Sequence, residues 1–317
     1  MNLVEGDFNS SDSTITTAPG AGSGEPRAAA HFAEVDGSTA PDSTEIPRSL
    51  YARFENFKFL GRGGMGAVYQ ARDHRLGRDV AVKLLFGADP SGGGGSLMRE
   101  AQSQARLTHE NACKVYEAGV IDNVRFLVMQ LIDGKPLDQF KDRLTLEEKV
   151  RVIRQIASAL HEAHRLGLVH RDVKPSNIMV ERGESGEWKP YLMDFGLARE
   201  IGDSGLTVTG AILGTPAFMS PEQAAGKIRS LGRRSDVYSL GATLYNVLAG
   251  RPPFIGLSML DTLRMVMEQD AAPIRSVNPD IPRDLDAIAM KCLEKAPDAR
   301  YESANRGSAN PHESHFG

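Results

Sequence analysis

One stretch constrains this chain more than any other: His170-Arg171-Asp172-Val173-Lys174-Pro175-Ser176-Asn177, followed by Met193-Asp194-Phe195-Gly196. It sets one acid, one lysine, one amide and a second acid within a short run between β-prone segments. An isolated Asp or Asn in a loop is usually a turn former. Four such groups in this order argue for chemistry instead. A carboxylate to orient a hydroxyl, a cation for a moving phosphate and oxygen ligands for magnesium are what phosphoryl transfer requires.

Composition narrows the setting. The 317 residues suffice for one large domain, or two lobes and a tail. A net charge of -4 gives no electrostatic basis for binding nucleic acid or an anionic membrane surface. Cys113 and Cys292 are isolated, with neither metal-ligand spacing nor a disulfide framework, which fits a reducing compartment. No window approaches the roughly eighteen apolar residues of a membrane span. Glu5 and Asp7 interrupt the N-terminus where a signal peptide would have a basic start and an apolar core.

Residues 1–48 are rich in Ser, Thr, Gly, Ala and Pro, with eight acids against Arg27 and Arg48, and are expected to be a disordered tail. Phe54 to Leu60 reads as a strand and leads into Gly61-Arg62-Gly63-Gly64-Met65-Gly66-Ala67-Val68, a G-x-G-x-x-G-x-V pattern. Alone that pattern is weak evidence. A dinucleotide-binding unit would open a helix here. Val68 to Ala71 is β-prone instead, which predicts a hairpin whose glycines let backbone amides lie over a triphosphate. Val80-Ala81-Val82-Lys83-Leu84 then alternates as a strand, with Ala81 and Lys83 on one face.

Gly87 to Ser96 is glycine-rich and predicts a flexible connection, followed by a helix over Leu97 to Leu107 that carries Glu100. Phe126 to Met129 reads as a buried strand ending in the turn Gln130 to Gly134. Thr145 and Glu148 form a capping box, and Leu146, Val150, Ile153, Ala157, Leu160 and Ala163 follow at helical spacing until Gly167. Asp236 opens an apolar segment running to Gly250, hydrophobic all round and so expected to be a buried helix. Further helices are expected over Met259 to Glu268 and Leu285 to Lys295.

These motifs together (H-R-D-x-x-x-x-N, D-F-G, the glycine hairpin, V-A-V-K, Gly214-Thr215-Pro216 and Ser220-Pro221-Glu222) resemble those of bacterial Hanks-type serine/threonine protein kinases, over Phe54 to Tyr301. The resemblance implies an α+β, bilobal fold. A small antiparallel N-lobe with one main helix would span 49–134 with the hinge, and a mainly helical C-lobe 135–301. It implies transfer of the γ-phosphate of ATP, with Mg2+, to Ser/Thr hydroxyls of protein substrates. Asp172 would orient the acceptor hydroxyl, with Lys174 and Lys83 on the phosphates and Asn177 and Asp194 on the metal. Gly61, Gly63, Gly66, Val68, Ala81, Lys83, Glu100, Met129, Gln130 and Ile132 would hold the nucleotide, Glu100 by pairing with Lys83.

By the same resemblance His170 packs under the loop, Asp236 anchors the loop backbone, Thr215 lies near Asp172 and Glu222 pairs with Arg300. Arg171 would receive a phosphate on the segment 194–222, with autophosphorylation at Thr207 or Thr209 through self-association. Such kinases often carry a membrane segment beyond the kinase domain; this chain stops before one, and a cytoplasmic location is expected.

Two departures stand out. Gln104 is polar where active members place an apolar residue. Residues 302–317 hold Ser, Asn, Gly and His with one apolar anchor, Phe316, in place of the usual last helix, so little stable packing is expected of them. A natural short end, a truncated fragment and a shifted frame all fit. His312 and His315 read as solvated residues of that tail. A pseudokinase that binds nucleotide or acts as a scaffold for partners without turnover, and a small-molecule kinase, remain the competing readings.

Overall fold

The computed structural model describes residues 46–63, 66–85, 104–195 and 215–307. Strands β1 (Phe54–Gly63), β2 (Gly66–Asp73), β3 (Arg78–Leu85), β4 (Val115–Ile121) and β5 (Val124–Gln130) form one antiparallel sheet in the order β1-β2-β3-β5-β4. Its register sets Val68 opposite Lys83, Lys83 opposite Leu127 and Ala81 opposite Met129. The alternation read from Val80 to Leu84 therefore becomes two apolar layers. Ala81 joins Leu60, Val68, Leu127 and Met129 on the face toward the C-lobe. Val80, Val82 and Leu84 join Phe54, Tyr69 and Phe126 on the other.

The glycine hairpin is present as the antiparallel pair β1–β2 with Gly63 opposite Gly66, and among the described residues a strand, not a helix, opens at Gly66, as the residues after it predict. Gly66 is dictated by close approach: a Cβ there would lie 1.9 Å from the Leu84 carbonyl oxygen. At Gly63 a Cβ would meet nothing within 4 Å among the described residues, so their backbone leaves space at that position.

The C-lobe begins with the two-residue strand β6 (Lys135–Pro136), which pairs with the hairpin β7 (Ile178–Arg182) and β8 (Trp188–Leu192). Among the described residues six helices follow or flank it: α1 (Leu146–Arg165), α2 (Pro221–Ala224), α3 (Arg233–Ala249), α4 (Met259–Glu268), α5 (Ile274–Val277) and α6 (Arg283–Cys292). The capping box at the start of α1 is formed: Glu148 N donates to Thr145 Oγ1 at 3.2 Å and Thr145 N to Glu148 Oε2 at 2.8 Å. Every residue of α3 from Ser235 to Leu248 is buried, so this helix is the axis of the C-lobe core.

Several boundaries differ from the sequence reading. Strand β1 runs on to Gly63, because its pairing with β2 continues as far as Gly63 opposite Gly66. The buried face of α1 is Val152, Ile153, Ile156, Ala157, Ala159, Leu160 and Ala163, whereas Leu146 in the first turn is exposed. Helix α6 starts two residues early, directly after Pro282, and stops at Cys292. The N-lobe reaches back before residue 48, since Ile46 and Leu50 are buried in its outer core. Where little packing was expected beyond residue 301, Ala304 is buried against the C-lobe core and Arg233 pairs with Glu302 at 2.9 Å. The expected N-lobe helix lies outside the described residues except for its last turn at residues 104–106.

Candidate active site

Hairpin β7–β8 explains why two motifs separated in sequence act together. Ile178 pairs with Leu192, which brings Asn177 and Met193 side by side, and Met193 N donates to Asn177 O at 2.9 Å. Asp194 then projects from the end of β8 toward β3, where Lys83 Nζ meets its Oδ1 at 2.7 Å. That contact joins residues 111 positions apart and spans the two lobes. Cys113 N and Leu192 O, 2.9 Å apart, stitch the lobes together close by.

Asp172 is held from two sides. Lys174 Nζ lies 2.9 Å from its Oδ2, and Asn177 Nδ2 donates to both Asp172 Oδ2 and Asp172 O at 2.8 Å. Committing the amide nitrogen this way turns the Asn177 carbonyl oxygen toward other partners. The Asp194 carboxyl is opposed by burial, but the neighbouring Lys83 ammonium outweighs it by charge and hydrogen bond, so it stays below the usual carboxylate range. Two lysines, two carboxylates and an amide oxygen are thus brought together where the lobes meet.

The loop carrying Asp172 has a strained backbone. Arg171 and Asp194 have φ of 68° and 56°, left-handed values uncommon outside glycine. Asp236, fully buried on α3, holds the first: its carboxylate accepts from His170 N and Arg171 N, each at 2.7 Å. Gln223 Nε2 on α2 donates to Arg171 O at 2.6 Å. His170 receives Asp172 N at its Nδ1 (3.2 Å), which leaves Nε2 to carry the proton toward Met193 O at 2.7 Å. The ring also packs 4.7 Å from that of Phe195.

One member of this network escaped the sequence reading. His164, near the end of α1, places Nε2 2.8 Å from Asp236 Oδ2, with both side chains buried. Its apolar neighbours made it look like one more position of the helix face. The only signal in sequence was a histidine on the buried side of an otherwise apolar stripe.

The nucleotide-binding candidates also converge. Val68, Ala81, Met129 and Ile132 lie in one apolar cluster with Leu60, Met179 and Met193, sandwiched between the sheet and β7–β8. Gln130 is half-buried at the hinge, its N–H donating to Lys114 O at 2.9 Å. Gly61, Gly63 and Gly66 sit on the β1–β2 hairpin above. Glu100, Thr207 and Thr209 lie outside the described residues, so the Glu100–Lys83 pair and the two threonines have no structural account. Gln104 is buried, and its Oε1 has no hydrogen-bond partner among the described residues. The expected Glu222–Arg300 pair is present and bidentate, at 2.8 and 2.9 Å, with Ser235 Oγ donating to Glu222 at 2.7 Å.

The residues fit a magnesium-bound nucleoside triphosphate. An apolar slot suits a base, a glycine hairpin admits phosphates, Lys83 supplies a cation, and Asp194 with Asn177 offers hard oxygen donors. A sheet-built lobe and a mainly helical lobe joined at such a site define the protein-kinase fold.

The relatives agree. The protein kinase domain family matches residues 54–309, and the chain belongs to that family. The probable serine/threonine-protein kinase SCO3848 of Streptomyces coelicolor is 44% identical over 274 residues, covering 82% of this chain and 40% of that protein. The serine/threonine-protein kinase PknB of Mycolicibacterium smegmatis is 39% identical, with 81% and 42% covered. The crystal structure of the Mycobacterium tuberculosis PknI kinase domain superposes with a TM-score of 0.63 at 28% identity, covering 80% of this chain and 94% of that one. The chain therefore spans about two fifths of the length of these curated relatives.

Proposed function

We propose that this chain transfers the γ-phosphate of ATP to Ser and Thr hydroxyls of proteins, with magnesium. The observation that carries the reading is that the Lys83–Asp194 contact and the Asp172–Lys174–Asn177 cluster are joined through the bond from Met193 N to Asn177 O. Bound ATP and magnesium would supply the transferable phosphoryl group and charge neutralisation. Lys83 would hold the phosphates, and its bond to Asp194 keeps both groups oriented. Asn177 and Asp194 would present oxygens to the metal. Asp172, fixed by Asn177 and Lys174, would orient the acceptor hydroxyl and receive its proton, while Lys174 offsets negative charge at the transferred group. The buried Glu222–Arg300 pair braces the segment that presents the acceptor.

Autophosphorylation at Thr207 or Thr209, through self-association, and a cytoplasmic location belong to the same reading. The buried Oε1 of Gln104 is the observation that favours a second one, a nucleotide-binding or scaffold pseudokinase, because a buried polar atom without a partner among the described residues works against a tightly closed N-lobe. Labelled ATP, magnesium and an exogenous protein distinguish the two. Phosphoserine and phosphothreonine should appear, and Lys83→Met should lower incorporation by about a hundredfold or more with the fold retained. Undiminished incorporation in Lys83→Met would reduce that lysine to a strand residue.

A further inference from the structure

Between Glu222 and Asp236 the chain carries Lys227, Arg229, Arg233 and Arg234 and no acid. This turn is joined to the active site through α2: Lys227 N donates to Glu222 O at 2.9 Å, and Gln223 reaches Arg171 O at 2.6 Å, next to Asp172. Arg233 and Arg234 are engaged by Glu302 and Asp298. Lys227 and Arg229 are exposed and make no ion pair among the described residues. Helix α2 also packs on α4, where Leu260 and the preceding Leu257 are 70% and 103% exposed. Two basic side chains without an ion pair among the described residues thus stand on the turn after α2, while the neighbouring α4 presents exposed leucines and the Asp261 carboxylate.

The chain itself holds a segment of matching chemistry. Residues 1–45 contain eight acids against one base, Arg27, and eleven Ser and Thr residues. The segment ends at Ile46, which is buried in the N-lobe. At about 3.3 Å per residue, a chain of 45 residues can span at most roughly 150 Å.

We infer that residues 1–45 are a substrate of this chain's own active site, recruited by the exposed Lys227 and Arg229. The inference rests on the kinase reading above and names a substrate class for it: acidic, hydroxyl-rich polypeptide. In the transfer, a Ser or Thr Oγ in this segment bonds to the γ-phosphorus of ATP as the bond to the bridging oxygen breaks. The electron pair stays on ADP, and the hydroxyl proton leaves by way of Asp172. Complementary charge would act mainly on encounter and partner choice, with each exposed contact contributing little alone.

The test uses the full chain. After incubation with magnesium and ATP, phosphosite mapping should find phosphate on Ser or Thr within residues 1–45. In the double variant Lys227→Glu/Arg229→Glu the share of phosphate in that segment should fall roughly fivefold. Without nucleotide, zero-length carbodiimide coupling should join Lys227 to carboxylates of residues 1–45. The yield should fade toward 1 M salt, where the screening length is about 3 Å. Three results would overturn the inference: an unlabelled segment while another protein is phosphorylated, a share unchanged by the charge reversal, or no coupling to Lys227 while Lys174 still couples to Asp172. Absence of transfer to every protein would instead overturn the kinase reading, and this inference with it.

Discussion

Asp236 shows what a single residue can do without touching a substrate. Its two oxygens accept from His170 N, Arg171 N and His164, and this holds a left-handed Arg171 beside Asp172. His164 is therefore a positioning residue. Its replacement by Leu should lower kcat about tenfold or more with little change in KM for the protein substrate, because misplacing the loop weakens orientation and not ground-state binding. A His164→Asn variant, which can still donate to Asp236, should recover part of the loss. Equal kcat in the leucine and wild-type proteins would assign His164 to packing alone. The grouping of Asp172, Lys174, Asn177 and Asp194 was legible in sequence because their order matches a motif whose members must lie near one another. His164 was not, since its partner lies 72 positions away and nothing in a helical repeat reports what a buried histidine faces.

At the scale of elements, α1 and α3 were legible for opposite reasons. Thr145 and Glu148 announce the start of α1, and its apolar spacing announces a one-sided helix. Helix α3 lacks a polar side altogether, and that uniformity marks it as central. Its closest packing was invisible in sequence: a Cβ on Gly241 would lie 2.3 Å from Cys292 Cβ on α6. Gly241→Ala gains helix propensity, but it must push two packed helices apart. The clash should win, with a net loss of about 1–3 kcal/mol in urea denaturation. An unchanged midpoint would mean that α6 shifts freely. The end of α6 was misread because Leu293 continues the apolar pattern past the point where the backbone leaves the helix.

Across the whole molecule, buried ion pairs tie distant parts of the chain together. Arg300 reaches back 78 positions to Glu222, and Arg53 pairs with the buried Asp73. In both acids burial raises the pKa, and the arginine bonds outweigh it, so each carboxyl sits below its ordinary value. A carboxyl depressed in the folded state contributes stability that is present above its unfolded pKa. That stability is lost as pH falls through the folded value. Unfolding free energy should thus be level near neutrality and decline once pH drops below about 4.5. Arg300→Met should cost about 3 kcal/mol at pH 7 by leaving Glu222 unpaired. It should also flatten the acid limb measured by denaturation across pH. A variant as acid-sensitive as wild type would place the dependence elsewhere.

The whole account rests on Asp172 being the group that readies an acceptor hydroxyl in a cleft assembled from both lobes. Rapid-quench transfer from labelled ATP to a protein acceptor, with nucleotide affinity measured alongside, tests this most directly in wild type and Asp172→Ala. The expected outcome is nucleotide affinity within a few fold of wild type and a transfer rate lower by about a hundredfold or more. Transfer at the wild-type rate in Asp172→Ala would contradict it.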